Sequence, residues 1–286
     1  MKKSLDISKY ATKLAQNKWM LPPVYHTQLC RLVSSYMEGD LGYQPDNGMP
    51  PNTEAPHNHP FETDDTEVVD ATAIIKVCGV LSKGVTEIEE IMLGLADVDE
   101  VSYALDQAAE DPSIKEIVLA FSSPGGETLG IEELGRKIKA IDANVKPIYG
   151  WTESMATSAA YWLVSQTRRI GMIPSSQIGG VGVYSLVLNI TDAMKQQGNS
   201  IEIFSSGKYK MMGHEFRNLT DAERKIIQED VDKQHQEFNQ VVLSKRPQIN
   251  KDDLEGLSYE GRDALSKGFC DVLCDSFEEY LAKVTE

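Results

Sequence analysis

One apolar run constrains the fold of this chain more than any other feature of its sequence. Residues 117–121 read Ile-Val-Leu-Ala-Phe, without the alternation of polar and apolar side chains that marks a half-exposed strand. A continuous run of this kind is typical of a strand in a parallel sheet covered on both faces. Helical patterns precede and follow it, over residues 88–110 and 130–141. Strands that alternate with helices predict an α/β fold built from βαβ units with right-handed crossovers.

The same reasoning divides the 286 residues into three parts. An N-terminal segment, residues 1–41, carries helical patterns over 4–18 and 25–37. Residues 42–66 are polar and rich in proline, which predicts a linker. Residues 67–286 form the α/β domain. Its further predicted strands cover 73–80, 147–151, 169–172 and 201–204, and its further predicted helices cover 158–165 and 220–245, the last opening on the capping box formed by Thr220 and Glu223.

Composition and charge exclude several classes of protein. The net charge of −16 and the scattered basic residues argue against nucleic acid as a partner. The N-terminus lacks the apolar stretch of a signal peptide, and no apolar run of about 18 residues could span a membrane, so we expect a cytoplasmic protein. The cysteines have no paired framework, and His57 and His59 lie in the linker without further ligands. We therefore expect neither disulfides nor a metal site.

Three short motifs contain residues that folding alone does not require. Residues 122–126, Ser-Ser-Pro-Gly-Gly, follow the apolar strand, and their backbone N–H groups could hold an oxyanion. Residues 153–162 place Ser158 among small residues at the start of a helix. Residues 206–210, Ser-Gly-Lys-Tyr-Lys, supply a lysine that could act as a base if its pKa were lowered. Each motif alone also has an ordinary explanation: a tight turn, a helix cap and a solvated lysine.

Two other nucleophilic arrangements fit the sequence less well. A Ser–His–Asp triad would need a suitably placed histidine, and His214, close to Lys210 in sequence, is the only serious candidate outside the linker. The nucleophile motif Gly-x-Ser-x-Gly is absent from the sequence. The Gly-Gly turn also lacks the lysine and hydroxyl residue of a phosphate-binding loop.

Taken in order, the motifs resemble those of the SppA-type signal peptide peptidases (protease IV) and their bacteriophage capsid-protease relatives. The resemblance runs from about residue 73 to residue 272. Two further segments contribute to it, residues 177–183 (Gln-Ile-Gly-Gly-Val-Gly-Val) and residues 261–271 (Gly-Arg-Asp-Ala-Leu-Ser-Lys-Gly-Phe-Cys-Asp). Five motifs in the family's order are a far more specific signal than any one of them.

The resemblance implies a serine endopeptidase with a Ser–Lys dyad. Ser158 matches the nucleophile, and Lys210 matches the general base. Gly125 and Gly126 match the oxyanion loop, and the N–H of Ala159 is the expected second donor. The implied fold is the ClpP/crotonase-like spiral of βαβ units, without metal or organic cofactor. The family often has Gly-Gly where Ala159-Ala160 stand here, a departure that could narrow the site.

The resemblance also implies which substrates the protein cuts and whether it forms oligomers. The N-terminal segment, with no membrane anchor, is similar to the phage branch, whose members process scaffold and capsid proteins in the prohead. Those proteins, and the chain itself at the linker, are the expected substrates. Family members form rings or domes, so we expect a homo-oligomer in which Ser158 and Lys210 could come from different subunits. Three alternatives stay open: a soluble host peptidase that degrades signal peptides, a crotonase-like acyl-CoA enzyme and a catalytically inactive assembly scaffold.

Overall fold

Two β-sheets, one large and one small, form the framework of the protein. The computed structural model describes residues 18–20, 25–27, 30, 65–85, 89–90 and 93–284. The strands in chain order are β1 (Lys18–Met20), β2 (Thr66–Val69), β3 (Thr72–Cys78), β4 (Val80–Ser82), β5 (Leu95–Asp97), β6 (Glu116–Ser123), β7 (Gly126–Glu127), β8 (Ile148–Thr157), β9 (Arg169–Met172), β10 (Gln177–Gly179), β11 (Tyr184–Ser185), β12 (Ser258–Glu260) and β13 (Val272–Leu273).

Helices pack around these sheets. In chain order they are α1 (Val98–Glu110), α2 (Ile131–Asn144), α3 (Ala159–Ser165), α4 (Thr191–Gln196), α5 (Asp221–Lys245), α6 (Gly261–Lys267) and α7 (Phe277–Val284), with a 3₁₀ turn at Lys251–Asp253. None of the helices in the described part of the chain is long and apolar enough to cross a membrane.

The large sheet has the strand order β12-β10-β8-β6-β3-β2, with β9 paired to β8 and β13 paired to β9. Strands β3, β6 and β8 run parallel to one another. The run at 117–121 lies in β6, where Ile117, Val118 and Leu119 have no exposed surface. This burial confirms the prediction of a central parallel strand covered on both faces.

The small sheet has the order β11-β1-β7-β4-β5, and apart from β1 its strands come from the repeating strand–helix units that also build the large sheet. Strand β3 is followed by β4, β6 by β7, and β10 by β11, so each time the chain leaves the large sheet and adds a strand to the small one. Helices α1 and α2 then return the chain to the next large-sheet strand. This winding is the α/β spiral of the ClpP/crotonase class that was expected.

Several predicted elements differ from the structure. Residues 201–204 were predicted as a strand, but they have no regular structure and are exposed, and no strand in the described part of the chain pairs with them. The helix predicted over 88–110 is interrupted by β5. The helix predicted over 4–18 lies outside the described residues, except that Lys18 begins β1. Residues 25–27 and 30 are helical, as expected, whereas most of the linker 42–66 lies outside the described residues.

Strands β6 and β8 bring the site residues together at their carboxyl ends. Their register changes from Phe121 opposite Thr152 to Ser123 opposite Ala156. The extra length in β8 brings its end, at Thr157, beside the turn that follows β6. The hydroxyl of Thr157 donates a hydrogen bond to the carbonyl oxygen of Pro124 at 3.1 Å. Parallel strands thus place the Gly-Gly turn and Ser158 at one edge of the sheet.

Candidate active site

Ser158 lies in a strained turn between β8 and α3. Its backbone has φ 58° and ψ −120°. Asp70 is the only other non-glycine residue in the described part of the chain with positive φ. Holding such a residue in this region costs about 1–3 kcal/mol, so the surroundings must fix it. The Ser158 N–H donates to the carbonyl of Gly179 at 2.7 Å, and its carbonyl accepts from the N–H of Trp162 at 2.9 Å.

This strand–turn–helix arrangement is the one that exposes the nucleophile in enzymes with a Gly-x-Ser-x-Gly motif. Here the neighbouring residues are alanine and threonine rather than glycine, so the sequence motif could not reveal it. Ala156, Thr157, Ala159 and Ala160 are all buried. Residues 177–183 contributed to the family resemblance, but no role was predicted for them from the sequence. In the structure, two of them support the turn at Ser158. Gly179 accepts the Ser158 N–H, and a β-carbon on Gly180 would lie 3.3 Å from the Ser158 nitrogen.

Gly125 is the point at which the predicted site residues meet. It has φ +105°, and a β-carbon built on it would lie 2.8 Å from Ser158 Cβ and 2.9 Å from the backbone nitrogen of Ala159. Ala159 is the first residue of α3, so its N–H has no acceptor within the helix. A carbonyl oxygen placed beside Gly125 can therefore approach both the Ser158 side chain and a free backbone donor.

The rest of the Gly-Gly turn is held by neighbouring backbone. The carbonyl of Gly125 accepts the N–H of Leu81 at 2.8 Å, and the N–H of Gly125 donates to Ser123 Oγ at 3.2 Å. A β-carbon on Gly126 would lie 1.9 Å from the carbonyl oxygen of Leu81, so no side chain fits there. The sequence predicted glycine here for its backbone freedom; close packing against β4 is a second reason.

The structure places Lys210 differently from the other predicted residues. It lies in a stretch, residues 201–210, in which every residue is exposed. Its N–H closes a turn with the carbonyl of Gly207 at 3.1 Å. No hydrogen bond or ion pair among the described residues joins Lys210 to Ser158. His214 is also exposed, and its Nδ1 accepts the N–H of Phe216 at 3.4 Å.

One strand near the site was not expected from the sequence. Strand β1 lies between β7 and β11 and runs antiparallel to both. The carbonyl oxygen of Met20 lies 2.2 Å from the β-carbon position of Gly125, the same point that Ser158 Cβ and the Ala159 nitrogen approach. A three-residue strand whose partners lie more than 100 residues away carries no local signal that sequence patterns could show.

A comparison with protein-family models shows the family. The model of peptidase family S49 matches residues 140–284, half of the chain. Capsid assembly protease C of Escherichia phage lambda is 27% identical over 215 residues, covering 73% of this chain and 48% of that protein. Head-tail preconnector protein GP5 of Enterobacteria phage P21 is 26% identical over 212 residues, covering 73% of this chain and 42% of that protein.

Protease 4 of Salmonella typhi is 26% identical over 192 residues, covering 66% of this chain and 31% of that protein. The chain thus spans half or less of the length of these curated relatives. The family match includes Ser158, Lys210 and the whole C-terminal part of the fold. On this match, the chain belongs to peptidase family S49.

Proposed function

We propose that this S49 peptidase is a serine endopeptidase that uses Ser158 as nucleophile and Lys210 as general base. The observation that carries the proposal is the convergence at Gly125. The side chain of Ser158, a buried residue in a strained turn, and the N–H of Ala159 both lie next to the β-carbon position of Gly125 in the Gly-Gly turn. A nucleophile beside preorganised backbone donors is what acyl transfer requires.

The proposed reaction is acyl transfer to Ser158 followed by hydrolysis. The Ser158 hydroxyl attacks a peptide carbonyl and transfers its proton to the neutral amine of Lys210. The N–H groups of Ala159 and Gly126 stabilise the oxyanion, with Gly125 making room for it. Lys210 then protonates the leaving amine, and water hydrolyses the acyl-enzyme. Each backbone donor is worth roughly 3–4 kcal/mol of transition-state stabilisation.

Lys210 can act as a base only if its surroundings change from those of the isolated chain. An exposed lysine is charged near neutral pH, and burial lowers a lysine pKa because it disfavours the charged form. We propose that a second copy of the chain covers this stretch and completes the dyad. Apolar side chains exposed along residues 186–209 support such an assembly, and Phe204 is 90% exposed; the others are Leu186, Leu188, Ile201, Ile203 and Tyr209.

The substrates we propose are scaffold and capsid proteins cut during prohead maturation. The support is the similarity to two phage proteins, one of them named a capsid assembly protease. Capsid maturation needs a peptidase that cuts within folded assemblies at their accessible segments, which is the action of an endopeptidase. The chain itself is a further candidate substrate.

Substitution of the two dyad residues tests the proposal. Wild type, Ser158→Ala and Lys210→Ala would be incubated with candidate scaffold and capsid proteins, and the fragments would be identified by intact mass. We expect Ser158→Ala to lower the cleavage rate by at least about 10³-fold and Lys210→Ala by about 10²–10⁴-fold.

The matched control is Lys208→Ala, two residues from Lys210 in the same exposed stretch. It should cut like wild type, because the Lys208 amine lies over the Tyr209 ring and has no place in the proposed dyad. Equal rates for wild type and Ser158→Ala would refute the serine mechanism. An effect of Lys208→Ala as large as that of Lys210→Ala would refute the assignment of the base.

A further inference from the structure

The small sheet contains a strand from a distant part of the chain at its functional edge. Strand β1 comes from the N-terminal segment, whereas its neighbours β7 and β11 belong to the repeats that build the domain. Trp19 lies opposite Glu127 and Met20 opposite Gly126 on one side, and Lys18 and Trp19 lie opposite Ser185 and Tyr184 on the other. An extended segment inserted between two strands is how β-augmentation binds a peptide.

The register of β1 places one carbonyl group at the catalytic centre. The Met20 oxygen approaches the Gly125 position more closely than Ser158 Cβ or the Ala159 nitrogen does. Two residues earlier, the carbonyl of Lys18 accepts the N–H of Thr128 at 3.3 Å. Strand β1 therefore runs alongside the Gly-Gly turn, and the carbonyl of Met20, its last residue, lies close to Ser158.

The side chains of β1 also occupy defined places. Trp19 and Met20 are 2% and 3% exposed. The Trp19 ring makes an edge contact with His26 at 5.1 Å between centroids, and His26 makes another with Tyr184 at 5.9 Å. Lys18 forms an ion pair with Asp230 of α5. Just after β1, the Tyr25 hydroxyl contacts the Met155 sulfur at 3.4 Å, on the strand that leads to Ser158.

We propose that β1 is the enzyme's own substrate strand, and that Ser158 cleaves the peptide bond between Met20 and Leu21. The inference rests on the proposed serine mechanism and assigns it a site. Lys18, Trp19 and Met20 fill the acyl side of the peptide groove between β7 and β11. Other protein substrates bind in the same groove once it is vacated.

The step is a hydrolysis and needs no reactant other than water. Ser158 Oγ forms a bond to the Met20 carbonyl carbon, the bond from that carbon to the Leu21 nitrogen breaks, and the serine proton ends on the new Leu21 amine. Water then attacks the ester, returns a proton to Ser158 Oγ and leaves a Met20 carboxylate. The products are residues 1–20 and a chain that begins at Leu21.

The test follows the full-length protein over time by intact mass and N-terminal sequencing, with β-casein present as an independent substrate. We expect wild type to yield a chain that starts at Leu21 and Ser158→Ala to stay intact. Met20→Asp should slow this cut at least about tenfold, because a buried carboxylate costs far more than a thioether. Met20→Leu should retain the cut, and Leu265→Asp, the same added charge on an exposed apolar residue of α6, should cut like wild type.

The outcomes separate this inference from the proposed function. If wild type degrades casein while its own N-terminus stays intact, or is cut only elsewhere, such as within residues 42–65, the assignment of β1 is overturned and the peptidase stands. If wild type cuts neither substrate, the serine mechanism is overturned together with the inference. Circular dichroism of Met20→Asp shows whether the variant is folded, and Met20→Leu tests the site independently of that result.

Discussion

At the residue scale, the candidate active site depends on the absence of a side chain at Gly125. Three groups approach its β-carbon position within 3 Å: the Met20 carbonyl oxygen, Ser158 Cβ and the Ala159 nitrogen. Real β-carbons do not tolerate such contacts, and the residue's φ of +105° is also unfavourable for any other amino acid. Only glycine lets Ser158, the Ala159 nitrogen and the Met20 carbonyl come this close to one another.

We therefore expect Gly125→Ala to lower the cleavage rate by about 10²–10³-fold, similar to the loss of an oxyanion donor. The added methyl group would clash with the Met20 oxygen, Ser158 Cβ and the Ala159 nitrogen, so the proposed nucleophile and donor would have to shift apart. Gly198→Ala is the matched control, because Gly198 also has positive φ (+77°) but nothing lies within 4 Å of its β-carbon position. Initial rates on casein for both variants check this; a Gly125→Ala rate within a factor of two of the control would contradict it.

The residues differ in how far sequence predicts them. Ser158, Gly125, Gly126 and Ala159 lie in short contiguous motifs at the ends of strands, so the fold class is enough to bring them together. The state of Lys210 depends on what covers it, and the apolar alternation of residues 201–204 predicted a strand that would have helped to bury it. A strand needs a partner as well as a pattern, and none is present in the described part of this chain.

At the element scale, the N-terminus of α5 anchors the end of the stretch that carries Lys210. Thr220 and Glu223 form the predicted capping box. The Glu223 carboxylate also binds Arg217 through both guanidinium nitrogens, at 2.9 and 2.5 Å. These bonds, with the hydrogen bond from the Thr220 N–H, lower the pKa of Glu223 from 4.5 to about 2.

This carboxylate makes part of the stability depend on pH. Because the folded pKa lies below the unfolded one, the stabilisation is complete above about pH 4.5 and is lost as the pH falls towards 2. Arg217→Gln should lower Tm by roughly a few degrees at pH 7, and the difference from wild type should shrink between pH 4.5 and 2. Thermal unfolding across this range measures it.

Arg136→Gln serves as the comparison, because the pairs of Arg136 with Glu132 and Glu133 are exposed and contribute little. Its Tm should follow that of wild type at every pH. A Tm difference for Arg217→Gln that stays constant down to pH 2 would show that Glu223 is not the group responsible.

Strand β1 shows at the same scale why pairing over long distances escapes sequence analysis. The helical pattern predicted for residues 4–18 ends where β1 begins, and three residues are too few for a strand periodicity to be seen. The placement of β1 depends on the gap between β7 and β11 in the small sheet. This gap forms only when the rest of the domain has folded. The spiral itself was predictable, because each repeat contains its own apolar strand and amphipathic helix.

At the scale of the whole molecule, our proposal is that a second chain completes the dyad. Ser158 is buried, whereas Lys210 lies on an exposed stretch with apolar side chains around it. Folding of one copy therefore forms the proposed nucleophile turn and oxyanion site, but it does not bury the proposed base. Assembly with a second copy would supply the environment that Lys210 needs.

Mixing two inactive variants tests this division. Ser158→Ala supplies Lys210, and Lys210→Ala supplies Ser158, so subunits exchanged between them should restore roughly a quarter of the wild-type rate if each site draws on two neighbours and the chains mix at random. Casein cleavage after partial denaturation and refolding of the mixture measures the recovery, with each variant refolded alone as control. A mixture as inactive as its components would place both dyad residues in the same subunit.

The position of β1 has a consequence for the timing of the first cut. The strand is tethered to the chain whose nucleophile it faces, so its effective concentration at the site is far above that of any free substrate. Dilution therefore does not slow the docking of the strand, whereas it does slow the meeting of subunits that would deliver Lys210. Under the two proposals, the chain keeps residues 1–20 while it is scarce and loses them once copies gather, so the length of its N-terminus would record whether assembly has taken place.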